Sequence, residues 1–208
     1  MTPATRLRGD GSTTGSYFKR ALWDVDGRTI PWAMQAVNGI RALGMEERLP
    51  SLTPLWPYAT HLVIAVGYND LVLTVLGYPT GRSAAQTKAS IVALATAAKS
   101  FGMTTVFMRV PPFATSGDGH ATLEQQVPQP GFEIDGALRD ALHASLSAGR
   151  DNIDAILNLD GWASDIAPDR WVPGSTDDST HGTAQAHAAA SRELRRYFSG
   201  EVRRHAAL

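Results

Sequence analysis

Three short runs of apolar residues stand out along the 208-residue chain: 62–66 (Leu-Val-Ile-Ala-Val), 105–110 and 153–159. They are predominantly apolar without regular alternation, Arg109, Asp154 and Asn158 being the charged or amide positions within them, and each is too short and too β-branched for a core helix. Apolarity without alternation predicts strands covered on both faces, as in a parallel sheet. Two weaker strand candidates lie upstream, at 4–8 and 32–37, the first of which alternates Leu with Arg. Helical stretches separate the runs. Residues 83–101 are alanine-rich and end at Gly102, residues 134–148 repeat apolar positions at helical spacing up to Gly149, and residues 183–198 run towards Gly200. Strand and helix in alternation predict a three-layer α/β/α sandwich around a parallel sheet. The Pro-, Gly- and Gln-rich stretch 111–131 follows a strand, at the edge where open α/β sheets bind ligands. It is expected to be a long loop that shapes a pocket.

Composition narrows the classes of function. Hydrophobic residues make up 43% and charged residues 19%, which is incompatible with a disordered chain. A formal net charge of −1 gives no electrostatic reason to expect a nucleic-acid partner. The length fits one domain spanning residues 1–208. Cysteine is absent, so disulfides, thiolate metal sites and a cysteine nucleophile are excluded together. His61, His120, His143 and His205 have no partners at metal-ligand spacing, so a metal site is not expected. No run approaches the ~18 apolar residues of a membrane span. The first fifteen residues lack the apolar core of a signal peptide. A cytoplasmic protein is the expectation, although a secreted mature form would read the same way. The arginines at 192, 195, 196, 203 and 204 read as a solvated helix face and end.

Candidate chemistry lies in four pieces whose order matters: Gly9-Asp10-Gly11-Ser12-Thr13-Thr14-Gly15, Val37-Asn38-Gly39-Ile40, Gly67-Tyr68-Asn69-Asp70, and Asp178-Ser179-Thr180-His181. In the last piece, the carboxylate of Asp178 can hold one ring nitrogen of His181 while the other acts as a general base. The Asn69 amide and a glycine N–H from another strand end can form an oxyanion hole. All of this suits acyl transfer, except that a nucleophile is missing.

The four pieces resemble the SGNH (GDSL) hydrolase family. Its first block reads Gly-Asp-Ser-x-Thr-x-Gly, its third Gly-x-Asn-Asp and its fifth Asp-x-x-His. The run His181-Gly182-Thr183-Ala184-Gln185-Ala186-His187 parallels a common His-Pro-Asn-x-x-Gly-His tail. The resemblance extends from Gly9 to His187 and implies a flavodoxin-like sandwich with five parallel strands. It also implies ester hydrolysis or acyl transfer on a small-molecule substrate without a cofactor, and leaves the oligomeric state open. Position 11 would carry the nucleophile, with His181 as base and Asp178 orienting it. The N–H groups of residue 11 and Gly39 would form the oxyanion hole with the Asn69 side chain, while Asp10 and Asp70 would support the site. Gly39 fits the second block better than Gly44, because Val37-Asn38 precedes it.

The departure falls at the nucleophile, where Gly11 stands in the serine position while Gly9, Asp10, Thr13 and Gly15 match. Three readings are open. Serine is the natural residue at 11 and this chain is an inactive variant; Ser12 has taken over by a one-residue shift; or the chain is naturally without a nucleophile and binds a ligand silently. A rival enzyme class rests on Asp24-Val25-Asp26-Gly27-Arg28-Thr29, which looks like the Asp-x-Asp-Gly-Thr motif of haloacid-dehalogenase-type phosphatases. That motif needs a buried strand before it, yet Lys19 and Arg20 lie there. It also needs a later lysine, and none follows Lys99. A turn is the better reading. His187 is expected to be a packed or partly exposed helix residue, and Asp177 a solvated neighbour of the motif.

Overall fold

In the computed structural model, which describes residues 33, 35, 37, 39–132, 138–158 and 162–206, the three apolar runs are strands. They are β1 (His61–Ile64), β2 (Thr104–Met108) and β5 (Ala155–Leu157). All pair in parallel in the order β1-β2-β5, with Val63 opposite Val106 and Phe107 opposite Ile156. The central strand is the most buried, as a strand flanked on both edges should be: Val106 and Phe107 are fully inaccessible. The resemblance implies five parallel strands, and three are present among the described residues. Residues 4–8 lie outside them, and Ala33, Gln35 and Val37 of the second candidate are not in a strand.

Ahead of β1 come two short helices that periodicity does not announce, α1 (Ala42–Glu47) and α2 (Leu49–Leu52), and a 3₁₀ turn over Thr53–Tyr58. Helix α3 (Tyr68–Val75) follows β1, α4 (Ala84–Ser100) joins β1 to β2, and α5 (Leu138–Ser145) lies between β2 and β5. Helix α4 starts where Ser83 forms a reciprocal cap: its Oγ accepts from Gln86 N–H, and the Gln86 side chain accepts from Ser83 N–H. It stops where Gly102 turns left-handed at φ +76°. The last helix, α6 (Ala184–Ala206), runs on through Gly200 and does not stop there.

Pro111–Gly131 is more than a loop. It holds two short strands, β3 (Ala114–Ser116) and β4 (Gln126–Pro128), which pair with each other.

The chain divides into two compact units. One comprises Val37–Phe113 and Pro128–Asn158 and contains the parallel sheet with α1 to α5. Its core joins Ile64, Leu71, Ile91, Leu94, Phe107, Phe132, Leu142 and Ile153. Each such side chain contributes on the order of 1.5–3 kcal/mol by leaving water. The other comprises Ala114–Val127 and the described part of Leu159–Leu208. It is built on Trp162 and Trp171, whose rings lie 5.7 Å apart, and on the buried face of α6. Gln126, almost fully buried, substitutes for a strand partner here: its amide donates to Trp171 O (3.0 Å) and accepts from Trp171 N–H (2.8 Å). Among the described residues no helix is long and apolar enough to cross a membrane.

Candidate active site

The Gly-Tyr-Asn-Asp piece sits where β1 hands over to α3. Gly67 caps the helix with φ +116°, a conformation side chains rarely adopt. A Cβ there would also meet Val110, Thr87 and Leu142 at 3.2–3.4 Å. Tyr68 is anchored edge-on against Phe113 and Phe132, with centroids 6.2 and 5.9 Å away. The next two residues both grip the segment after Gly39. Asn69 Nδ2 donates to Ile40 O (3.1 Å), and Asp70 Oδ2 accepts from Ala42 N–H (2.8 Å), an orphan donor at the start of α1.

Asp70 is completely buried. Burial pushes its carboxyl above the usual range, against the Ala42 N–H and the Arg82 guanidinium 3.8 Å away. Its support is therefore structural, fastening α1 to α3. Gly39 is exposed, with φ +70°, in a turn closed by Ile40 N–H to Val37 O (3.2 Å). Gly44, the competing glycine, lies inside α1.

In the other unit, the Asp-x-x-His piece is a tightly specified loop. Asp178 Oδ1 accepts from Thr180 N–H (3.0 Å) and His181 N–H (2.7 Å), and Oδ2 meets His181 Nδ1 at 2.8 Å. A carboxylate can only accept, so Nδ1 carries the hydrogen and Nε2 is left as the basic nitrogen. Burial works against the Asp178 charge, but the His181 ring and the two N–H groups outweigh it and hold its pKa below the usual carboxylate value. Ser179, between them, is left-handed at φ +66°. The loop is tied back by Thr176 Oγ to His181 O (2.8 Å) and by Thr183 N–H to Ser175 O (2.7 Å).

The His181 side chain is 60% exposed and that of Asp178 24%. Ion pairs this open contribute only about 0–1 kcal/mol to stability. A left-handed non-glycine residue costs about 1–2 kcal/mol. The ion pair by itself is therefore no larger than the backbone cost at Ser179, and the hydrogen bonds to the loop's backbone are what hold its conformation.

Gly182, where the resemblance has proline, has a local reason. A Cβ there would lie 2.8 Å from Trp162 Cζ2. That indole is pinned by its N–H to Ala186 O (2.9 Å) and by His187 edge-on at 5.4 Å. His187 is a packed helix residue and Asp177 is exposed, both as expected.

Asp10, Gly11 and Ser12, and the rival pair Asp24 and Asp26, lie outside the described residues. Two histidines gained roles that linear spacing could not signal. His143 accepts Val110 N–H on Nε2 (3.1 Å), and Arg139, one turn away on α5, donates to Val110 O (2.8 Å). Burial, followed by the Arg139 and Arg109 charges, lowers the His143 pKa to about 3. The other is His120, 59 residues from its contact with Ser179. Among the described residues no group of three His, Asp or Glu side chains could hold a metal ion.

No protein-family sequence model matches the chain, and no curated protein matches it in sequence. Solved structures do match. A GDSL-like lipase from Bacteroides thetaiotaomicron VPI-5482 superposes with a TM-score of 0.56 at 16% identity, over 78% of this chain and 73% of that one. The psychrotrophic esterase EstA from Pseudoalteromonas sp., in a structure inhibited by monoethylphosphonate, gives a TM-score of 0.52 at 16% identity over 81% and 76%. The chain has the mixed α/β fold of the GDSL-like hydrolases.

Proposed function

We propose that the chain is an SGNH-type ester hydrolase or acyltransferase scaffold in which Asp178 and His181 form the acid–base pair. The observation that carries this reading is the 2.8 Å Asp178–His181 contact, which leaves Nε2 as the exposed basic nitrogen of a loop organised around it. In the complete site a hydroxyl at position 11 attacks the carbonyl carbon while His181 Nε2 takes its proton. The negative charge that develops on the carbonyl oxygen is met by the N–H groups of residue 11 and Gly39 and by the second N–H of the Asn69 amide. As the tetrahedral species collapses, His181 returns the proton to the departing alcohol, and Asp178 keeps the ring in its tautomer throughout. Water then repeats the sequence on the acyl group, or another alcohol does so in acyl transfer.

Glycine at 11 supplies no hydroxyl. Such a site keeps only about 10³–10⁴-fold catalysis over water, from binding and the oxyanion hole. That favours a second reading, a silent binding domain. Gly11→Ser decides between them. In the hydrolase reading it raises turnover of short-chain p-nitrophenyl esters by orders of magnitude, since loss of the serine from such a triad costs on the order of 10⁶ in kcat. It also makes the protein react with a serine-directed phosphonate. An inert Gly11→Ser protein refutes the hydrolase reading. Ester turnover in the unaltered chain that Ser12→Ala abolishes would place the nucleophile at Ser12.

A further inference from the structure

We infer that His120 is a positioning residue for the Asp178–His181 pair, acting through Ser179. It comes from the stretch Ala114–Val127, distant in sequence but part of the same compact unit as the Asp178 loop. The residue is buried, with 3% of its surface exposed. Every polar contact ties it to that unit. Its N–H donates to Ser116 Oγ (3.0 Å), its carbonyl accepts from Gly174 N–H (2.8 Å), and its Nε2 lies 2.8 Å from Ala114 O and 3.2 Å from Ser179 Oγ.

The Ala114 carbonyl can only accept, so Nε2 carries the ring hydrogen and shares it with the Ser179 hydroxyl oxygen. Two consequences follow. Nε2 cannot take a proton from Ser179, so this serine and histidine are not a nucleophile–base pair in spite of their distance. And Nδ1, which is buried, has no hydrogen-bond partner among the described residues. A buried polar atom left unpaired opposes folding, and a phenyl ring would fill a similar volume without it. What the imidazole adds over a phenyl ring is the N–H aimed at Ala114 and Ser179.

Ser179 is the residue whose conformation sets the pair. It lies between the carboxylate of Asp178 and the amides of Thr180 and His181 that this carboxylate holds, and its backbone is left-handed. His120 is itself left-handed at φ +64°, and its ring reaches the loop at Ser179 Oγ. The Ser179 contact therefore fixes the turn across which Asp178 reaches His181 Nδ1.

This inference rests on the proposed acid–base pair, and its test reads the pair directly, without ester turnover. Histidine-selective ¹⁵N NMR, with His181 assigned through His181→Gln, reports which ring nitrogen carries the hydrogen. The parent protein is expected to show the Nδ1–H form. His120→Phe, which keeps the volume and loses the N–H, is expected to lower the Nδ1–H population at least twofold. His120→Gln, which keeps a donor, restores it. Ser179→Gly removes the accepting hydroxyl in a residue that tolerates the left-handed backbone, and should match His120→Phe; it decides alone if His120→Phe does not fold. A purely structural His120 would lower the melting temperature and leave the His181 ring signals unchanged. Unchanged signals in His120→Phe or in Ser179→Gly, or equal loss in His120→Gln and His120→Phe, would overturn the inference. A Gly11→Ser protein inert towards esters, with these NMR shifts intact, would sink the hydrolase reading and leave the role of His120 standing.

Discussion

Gly67→Ala tests how the Gly-Tyr-Asn-Asp turn is built. Two separate costs meet at this position. The backbone sits at φ +116°, and holding an alanine in so sparsely populated a region costs about 1–3 kcal/mol. The new methyl also meets Val110 Cγ2, Thr87 Cγ2 and Leu142 Cδ2 at 3.2, 3.3 and 3.4 Å. All three neighbours are buried, so none can swing away into solvent. Crowding of this kind in a packed core costs about 1–3 kcal/mol. The expected total is about 2–6 kcal/mol. Gly102→Ala is the internal control: its φ is +76°, and a Cβ there meets nothing within 4 Å, so it carries strain alone. That variant should lose about 1–2 kcal/mol. Urea unfolding followed by circular dichroism measures both, and unchanged m-values would show that stability has changed without a change in the compactness of either state. For a chain of this length each kcal/mol also lowers the melting temperature by about 2–4 °C. If Gly67→Ala is no more costly than Gly102→Ala, the close packing around Gly67 is not what makes glycine necessary there.

Two further predictions concern protonation and packing. His143 takes up its proton only near pH 3 in the fold but near 6.5 once unfolded, so its contribution is fully present above pH 6.5 and is lost as pH falls towards 3. The loss is at most about 1.4 kcal/mol per pH unit, and His143→Gln should show a correspondingly shallower fall in urea midpoint between pH 7 and 5; parallel curves would contradict this. Gly182→Ala presses a methyl onto the pinned Trp162 ring and should cost about 1–3 kcal/mol. In a double-mutant cycle with Trp162→Phe, strict additivity would show that the indole is not what excludes the methyl.

The parts of the site legible in sequence are those where chemistry and conformation lie within a few residues. An Asp and a His three apart in a turn make their contact locally, whatever surrounds them. Gly67-Tyr68-Asn69-Asp70 could likewise be read as a strand-end turn, because the apolar run before it is short and continuous. The same logic located the three strands of the parallel sheet, since a strand covered on both faces is mostly apolar and does not alternate. It did not locate α1 and α2, whose amphipathic signal is too short to form a period. Nor did it foresee that α6 would pass through Gly200, because the segment's other residues outweigh a local cost of about 1 kcal/mol.

What the sequence determined by itself, then, is the chemical inventory: a cysteine-free α/β chain carrying an Asp and a His three residues apart, an Asn beside a helix start, and a glycine at position 11. The tertiary structure alone decided which distant residues hold that inventory in place. Asp70 faces Ala42 across 28 residues, His143 meets Val110 across 33, and His120 meets Ser179 across 59. No spacing rule encodes these contacts. Each depends on how the intervening chain packs, and the same histidine would read identically in the sequence had it been exposed. Burial makes the difference: away from water a polar group must find a partner, and the fold determines which partner is within reach.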